Sequence, residues 1–131
     1  MKKIRVAING FGRIGRVFLR NCIANPAIEI VVINDLTDAA TLAHLLKYDS
    51  IHRAFNGEIV VEGEFMIVNG QRIKIVSHKD PAQLPWREYQ VDIVIECSGH
   101  FLDLAGANLH LQAGAKKVIL SAPSEDDAIK T

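Results

Sequence analysis

A glycine-rich stretch near the start of the chain limits the possible folds more than any other feature. The run GFGRIG at 10–15 follows the apolar run IRVAIN and precedes a stretch whose apolar residues recur at helical spacing. Each glycine costs conformational entropy on folding, so three in six positions need a geometric reason. Between a strand and a helix, Gly10 makes a tight turn, Gly12 lets a pyrophosphate approach the backbone, and Gly15 lets the helix pack against the sheet.

An acidic residue lies where such a loop requires one. Asp35 follows Gly15 by twenty residues and ends the second apolar run, IEIVVIND at 28–35. A carboxylate at this position accepts hydrogen bonds from the adenosine ribose and repels the 2′-phosphate of NADP. The sequence therefore predicts a dinucleotide site that prefers NAD, with the phosphates at the N-terminus of the first helix. A glycine turn with an aspartate that only caps the next helix is the alternative.

The rest of the chain alternates strands and helices, which is typical of a parallel sheet covered on both faces. The remaining elements are predicted as follows: strands at 91–96 and 116–121, helices at 37–48 and about 102–112, Thr37 or Asp38 as N-cap, and Gly114 as C-cap. Glu-Gly and Asn-Gly turns break the alternation at 58–77. The predicted fold is therefore α/β, a Rossmann-type, doubly wound, mostly parallel sheet with an inserted antiparallel meander near residues 58–77.

Ligands of open α/β sheets bind outside the carboxyl ends of the strands. The segments Cys97-Ser98-Gly99 and Ser121-Ala122-Pro123 follow two predicted strands, and their small residues would let a ligand come close. Either segment could instead be only a turn that ends its strand.

Composition excludes several classes of partner. The 131 residues suit one domain, and fifteen basic residues balance fifteen acidic ones, so neither nucleic acid nor a membrane is predicted as a partner. No apolar run approaches membrane-spanning length. Locally, six cations precede the first acid and predict a positive pole for the phosphates: Lys2, Lys3, Arg5, Arg13, Arg16 and Arg20.

The cysteines and histidines do not predict a catalytic or metal site. Cys22 and Cys97 are far apart in sequence, which favours reduced thiols in a cytoplasmic protein. Cys22 lies on the apolar helix face and Cys97 directly after a buried strand, so both are interpreted as packing residues. The five histidines lack zinc-ligand spacing, and His44 and His110 are interpreted as surface or packing residues within helices.

Several motifs, in matching order and spacing, resemble the N-terminal, NAD-binding part of glyceraldehyde-3-phosphate dehydrogenase. They are INGFGRIGR, INDL, LAHLLKYDS followed by a histidine, D-P at 80–81, E-SG-F at 96–101, and AGAKKVILSAPS, and together they cover nearly the whole chain. LPWRE at 84–88 and ECSG at 96–99 are closer to the paralogue erythrose-4-phosphate dehydrogenase. NDLTDA and HLQAGAKKVILSAPS are closer to the bacterial glyceraldehyde-3-phosphate enzyme, which is the preferred interpretation.

The resemblance implies NAD as the cofactor and a set of cofactor-binding residues. These are Gly10, Gly12, Arg13, Ile14, Gly15, Asn34, Asp35, Lys79, Ser98, Gly99 and Ser121. Arg13 and Ile14 would offer backbone N–H groups to the pyrophosphate, and Ser121 would face the nicotinamide. Lys79 replaces the arginine usual near the adenine, and Ser98 replaces the usual threonine.

The resemblance also implies a larger enzyme. The family's catalytic Ser-Asn-Ala-Ser-Cys-Thr-Thr-Asn-Cys segment and its catalytic histidine lie beyond residue 131. Residues 1–131 are therefore expected to be an NAD-binding (Rossmann) domain truncated before the catalytic domain and inactive alone. The full-length enzyme would be a cytoplasmic homotetramer of glycolysis that oxidises a sugar-phosphate aldehyde and passes hydride to NAD. The erythrose-4-phosphate enzyme's domain, or a non-catalytic NAD-binding or interaction module, are the alternatives.

Overall fold

The computed structural model describes residues 3–48, 58–79, 83–97 and 104–120. Within these ranges the elements follow one another in this order: β1 (Ile4–Asn9), α1 (Arg13–Cys22), β2 (Ile28–Asn34), α2 (Ala39–Tyr48), β3 (Ile59–Glu62), β4 (Phe65–Val68), β5 (Gln71–Val76), β6 (Ile93–Glu96), α3 (Leu104–Gln112) and β7 (Lys117–Leu120). The strands and helices predicted from the sequence are present, with ends that differ by a few residues. Residues 102 and 103 of the third predicted helix lie outside the described residues.

The strands form one sheet in the order β3-β4-β5-β2-β1-β6-β7. β1 pairs in parallel with both β2 and β6, β5 pairs in parallel with β2, and β7 with β6. After β1 the chain builds the sheet on one side, and it then returns to the other side of β1 with β6. This reversal of strand order beside β1 is the switch point of a doubly wound fold, so the predicted fold class is confirmed.

The predicted meander is present and continues the main sheet. β3, β4 and β5 pair antiparallel in sequence, and β5 also pairs in parallel with β2. The turn between β4 and β5 consists of Asn69 and Gly70, which have φ values of 50° and 84°. Two consecutive positive φ values match the hairpin turn that an Asn-Gly pair favours.

Both faces of the central parallel strands β1, β2 and β6 are largely buried, which explains their nearly continuous apolar sequences. One face packs against α1 and α2, where Leu19, Leu42 and Leu46 are fully or almost fully buried. The other face packs against the segment before β6 and the end of α3, where Trp86 and Ala113 lie in a second core cluster. Side chains alternate between the faces along a strand, so β1, β2 and β6 each contribute to both clusters.

The helix after the glycine loop packs very close to the sheet. A Cβ atom added to Gly15 would lie 2.7 Å from the carbonyl oxygen of Gly10 and 3.1 Å from Cγ2 of Ile8. The close helix–sheet packing predicted for Gly15 is therefore present. Ile14 does not join this packing: its side chain is 52% exposed, whereas the buried positions of α1 are Gly15 and Leu19. The helical spacing of apolar residues predicted this helix correctly, and that spacing starts at Ile14, but Ile14 itself does not face the core.

Asp38, and not Asp35, caps the second helix. The Asp38 carboxylate accepts a hydrogen bond from the backbone N–H of Thr41 at 2.7 Å, which is the geometry of an N-cap. Hydrogen bonds from Thr41 lower the pKa of Asp38, because they favour the charged carboxylate. The alternative in which Asp35 only caps the next helix is therefore wrong, and the carboxylate of Asp35 has other partners.

Candidate functional site

The glycine loop leaves the N-terminus of α1 open at the carboxyl edge of the sheet. Gly10 has a φ of 90°, and its N–H donates to the carbonyl of Asn34 at 2.7 Å, so the chain turns sharply at the end of β1. Gly12 is the N-cap residue, and within the described residues no side chain caps it and no acid lies in the first turn. Backbone N–H groups of a first helical turn lack partners within the helix and attract anions.

The space above Gly12 can receive a ligand. A Cβ atom added to Gly12 would have no heavy atom within 4 Å. The side chains of Arg13 and Ile14 are exposed beside this space. The donor set and the open backbone fit a pyrophosphate group, as the sequence predicts.

Asp35 lies against the same loop. One carboxylate oxygen accepts the N–H of Phe11 at 2.8 Å, and the other accepts the N–H of Thr37 at 3.0 Å. The residue is half-buried, and each carboxylate oxygen can accept more than one hydrogen bond. The structure therefore brings the predicted ribose-binding acid to the predicted phosphate-binding loop.

The cations predicted to form one positive pole are divided between the two ends of the sheet. Arg5 lies near the amino end of β1, away from the glycine loop, where its Nε donates to the carbonyl of Tyr89 at 2.8 Å and its Nη1 to Glu29 at 3.3 Å. Arg16 instead donates to the carbonyl of Phe11 inside the loop at 3.0 Å. The prediction of a single positive pole is wrong because β1 is extended: Arg5 lies at its amino end, whereas Arg16 follows its carboxyl end.

The other predicted contact residues differ in how the structure places them. Lys79 is exposed in the segment after β5, near the carboxyl edge of the sheet. Asn34 is buried at the end of β2. Cys97 packs against the first core cluster, and its N–H donates to the carbonyl of Asn9 at 2.7 Å. The remaining predicted residues lie outside the described residues: Ser98, Gly99 and Ser121.

A group of buried polar side chains next to this site was not predicted. We call it the buried polar row, and it consists of Trp86, His110, Glu96, Asn9 and Asn34, all 5% exposed or less. The hydrogen bonds that join its members range from 2.6 to 3.0 Å between heavy atoms. One signal was available in the sequence: three of the apolar runs are followed directly by a polar residue, namely Asn9, Asn34 and Glu96.

Two cavities lie at opposite edges of the sheet. One of about 310 Å³ adjoins the ends of β2 and β5 and is lined by residues that include Leu36, Thr37 and Ser77. The larger one, of about 580 Å³, is lined by Asn25 and Gly70 among others, toward the amino ends of β1 and β2. We place the candidate site at the carboxyl edge despite the larger volume elsewhere, because open α/β sheets bind ligands there.

Neither a metal group nor a membrane-spanning helix is found in the described parts of the chain. Across those ranges, no three histidine, cysteine or acidic side chains come together as metal ligands. The helices there are too short or too polar to cross a bilayer. Burial raises the pKa of the Cys22 thiol, so this thiol is a weak nucleophile at neutral pH.

Comparison with known proteins gives one consistent result. The family model described as "Glyceraldehyde 3-phosphate dehydrogenase, NAD binding domain" matches residues 4–104. The glyceraldehyde-3-phosphate dehydrogenase of Mycoplasma pneumoniae is 53% identical over 130 residues, which are 99% of this chain and 39% of that protein. The enzyme of the same name from Thermotoga maritima is 54% identical over 127 residues, 95% of this chain and 38% of that protein.

A third relative gives a similar coverage. The glyceraldehyde-3-phosphate dehydrogenase of Priestia megaterium is 53% identical over 126 residues, 96% of this chain and 38% of that protein. The chain thus spans roughly two-fifths of the length of these curated relatives. Their names agree with the preferred interpretation of the sequence, and the erythrose-4-phosphate alternative finds no support among them.

Proposed function

Because the chain belongs to the glyceraldehyde-3-phosphate dehydrogenase family, as its NAD-binding domain, we propose that it binds NAD across the carboxyl edge of its parallel sheet. The observation that carries this proposal is the contact between Asp35 and the glycine loop. The carboxylate that would hold the ribose already accepts the N–H of Phe11, beside the open N-terminus of α1. Ribose and pyrophosphate are adjacent in a dinucleotide. Their proposed binding groups, the Asp35 carboxylate and the N-terminus of α1, are also adjacent.

Each part of NAD has proposed partners. The pyrophosphate accepts backbone N–H groups of Gly12, Arg13 and Ile14, where the helix dipole favours negative charge. Asp35 accepts the adenosine ribose hydroxyls, and Lys79 lies toward the adenine. The other proposed contacts are Asn34, Ser98, Gly99 and Ser121, of which Ser121 would face the nicotinamide. NAD, when bound, supplies the hydride acceptor; this chain's residues bind and orient it.

The proposal extends to the whole protein. Residues 1–131 form the NAD-binding (Rossmann) domain, and a second domain supplies the thiol nucleophile and the base for aldehyde oxidation. The substrate of the whole protein is the sugar phosphate glyceraldehyde-3-phosphate, in glycolysis. The protein works in the cytoplasm as a homotetramer, without nucleic acid or a membrane as partner. The family and the coverage of its relatives support this extension.

The choice between NAD and NADP tests the role of Asp35. NAD is expected to bind more tightly than NADP by about 1–3 kcal/mol, because the carboxylate bonds the ribose and repels a 2′-phosphate. Asp35→Asn removes the charge and keeps one oxygen, which can accept the N–H of Phe11 but not also that of Thr37, so the difference in affinity between NAD and NADP should narrow. Calorimetric titration of NAD and NADP into the wild-type chain and into Asp35→Asn measures this difference. Equal binding of NAD and NADP by the wild-type chain would show that Asp35 does not contact the ribose.

If the thiol nucleophile and the base belong to the second domain, the 131-residue chain alone should make no NADH from glyceraldehyde-3-phosphate. Aldehyde oxidation through a thioester needs a thiolate and a base, and burial keeps the Cys22 thiol protonated. Cys97 packs against the core at the end of β6. Absorbance at 340 nm, with aldehyde, NAD and phosphate, measures the reaction. Turnover that disappears in Cys97→Ser would contradict the proposal that the nucleophile belongs to the second domain.

A further inference from the structure

The buried polar row crosses the carboxyl edge of the sheet from its second core cluster. The indole N–H of Trp86 donates to Nδ1 of His110 at 3.0 Å, and Nε2 of His110 lies 2.6 Å from Oε1 of Glu96. The same Glu96 oxygen accepts the side-chain amide of Asn9 at 2.7 Å, and the oxygen of that amide accepts from Asn34 at 2.7 Å. The row therefore joins α3 to the ends of β6, β1 and β2.

The donors and acceptors of the row fix the state of its histidine. The Trp86 indole can only donate, so Nδ1 of His110 must be an unprotonated acceptor. Nε2 of a neutral imidazole then carries the hydrogen and donates it to Glu96. Two donors, from His110 and Asn9, converge on one Glu96 oxygen, and this arrangement suits an ionised carboxylate. His110 thus holds Glu96, and Glu96 holds Asn9, in a single orientation.

The far end of the row is continuous with the backbone of the nucleotide site. The side chain of Asn34 donates to the carbonyl of His78 at 3.0 Å and accepts its N–H at 2.8 Å, which fixes the segment after β5. The backbone carbonyl of Asn34 accepts the N–H of Gly10, the first residue of the glycine loop. The carbonyl of Asn9 accepts the N–H of Cys97 on the other side. The row therefore determines where three strand ends lie relative to the loop.

We propose that His110 and Glu96 are positioning residues for the nucleotide, acting through Asn9 and Asn34 on the glycine loop. This inference rests on the proposed NAD-binding function and deepens it. A buried polar network often stabilises a fold no more than apolar residues of similar volume would. A fully hydrogen-bonded network does, however, hold its members in one arrangement. Here the fixed arrangement is that of the strand ends that bind the cofactor. His110 itself lies on α3 and acts only through the row.

Coupling between the row and the cofactor must work in both directions. If the arrangement of the row raises the affinity for NAD, then bound NAD must favour that arrangement of the row by the same free energy. Trp86 is the one tryptophan of the chain and forms the distal end of the row. Its fluorescence should therefore change as NAD binds, with a midpoint at the calorimetric Kd. A purely structural His110 would lower the melting temperature without producing this signal.

The test compares His110→Leu with His110→Gln in the full 131-residue chain. Leucine removes both hydrogen bonds, so the Kd for NAD should rise about fivefold or more, the scale of coupling between linked sites, and Trp86 fluorescence should no longer follow NAD. Glutamine can donate to Glu96 and accept from Trp86, so it should restore both properties. Circular dichroism selects conditions in which each variant is fully folded. If His110→Leu does not fold, Trp86→Phe replaces it and should weaken binding by about 2- to 10-fold, the loss of one hydrogen bond.

The outcomes separate this inference from the function on which it rests. A wild-type chain that does not bind NAD would overturn both. Tight binding by the wild type together with an unchanged Kd in folded His110→Leu, or in Trp86→Phe in its place, would overturn only the positioning role. Failure of His110→Gln to restore binding would also overturn it, because the hydrogen bonds would then not be the cause.

Discussion

Gly12→Val is expected to weaken NAD binding by about a hundredfold or more, roughly 3 kcal/mol, while the sheet stays folded. A Cβ atom at Gly12 meets no heavy atom within 4 Å, so valine fits the unliganded protein. The backbone at Gly12 is extended, with φ −81° and ψ −160°, so its φ lies outside the left-handed region that favours glycine. The added methyl groups instead occupy the space in which the pyrophosphate would approach the N–H groups of α1.

Calorimetric titration with NAD measures this effect, with thermal unfolding as the test of the fold. Gly12→Ala is the matched control, because it adds one methyl group to the same open position and should weaken binding less. Equal binding by wild type and Gly12→Val would remove the glycine loop from the cofactor site. A large drop in melting temperature in Gly12→Val would contradict the geometry of the loop.

Gly114→Ala is expected to lower the free energy of unfolding by about 3–5 kcal/mol, the sum of backbone strain and overpacking. Gly114 has a φ of 122°, a region that residues with a Cβ atom rarely adopt. An added Cβ would also lie 2.7 Å from the N, Cα and Cβ atoms of Arg87. The backbone N–H of Arg87 donates to the carbonyl of Ala113, so the two segments cannot separate without losing that bond.

Urea unfolding, followed by circular dichroism, measures the change. Gly70→Ala is the control, because Gly70 also has a positive φ, of 84°, but its added Cβ would meet nothing within 4 Å. It carries the strain without the clash and should cost about 1–2 kcal/mol. If the two variants lost the same stability, the close approach of Arg87 to the end of α3 would be wrong.

The local sequence predicts the strands, helices and turns of this protein well, because each of them depends on residues that are close together in the chain. The glycine spacing, the apolar runs and the Asn69-Gly70 turn each have a backbone geometry that few other arrangements satisfy. The fold class, the order of elements and the contact between Asp35 and the glycine loop were therefore predictable. The exposure of Ile14 was not predictable, because the apolar periodicity of α1 includes its first turn, although the side chain of Ile14 does not pack on the core.

The buried polar row was missed for a different reason. His110 and Glu96 are 14 residues apart, and Asn9 and Glu96 are 87 residues apart, so no local pattern connects them. The parallel register, in which Asn9 lies opposite both Asn34 and Glu96, brings their side chains to one face of the sheet. Reading the last residue of each strand together with the strand order would have found three of the five members.

The most direct measurement of the central claim is an NMR titration of the ¹⁵N-labelled chain with NAD. If NAD binds at the carboxyl edge, the backbone amides of Gly12, Arg13 and Ile14 should shift with saturation at one NAD per chain. The amides of Asn25 and Gly70, which line the larger cavity at the opposite edge, should stay unchanged. Shifts at Asn25 and Gly70 with an unchanged glycine loop would contradict the proposed site.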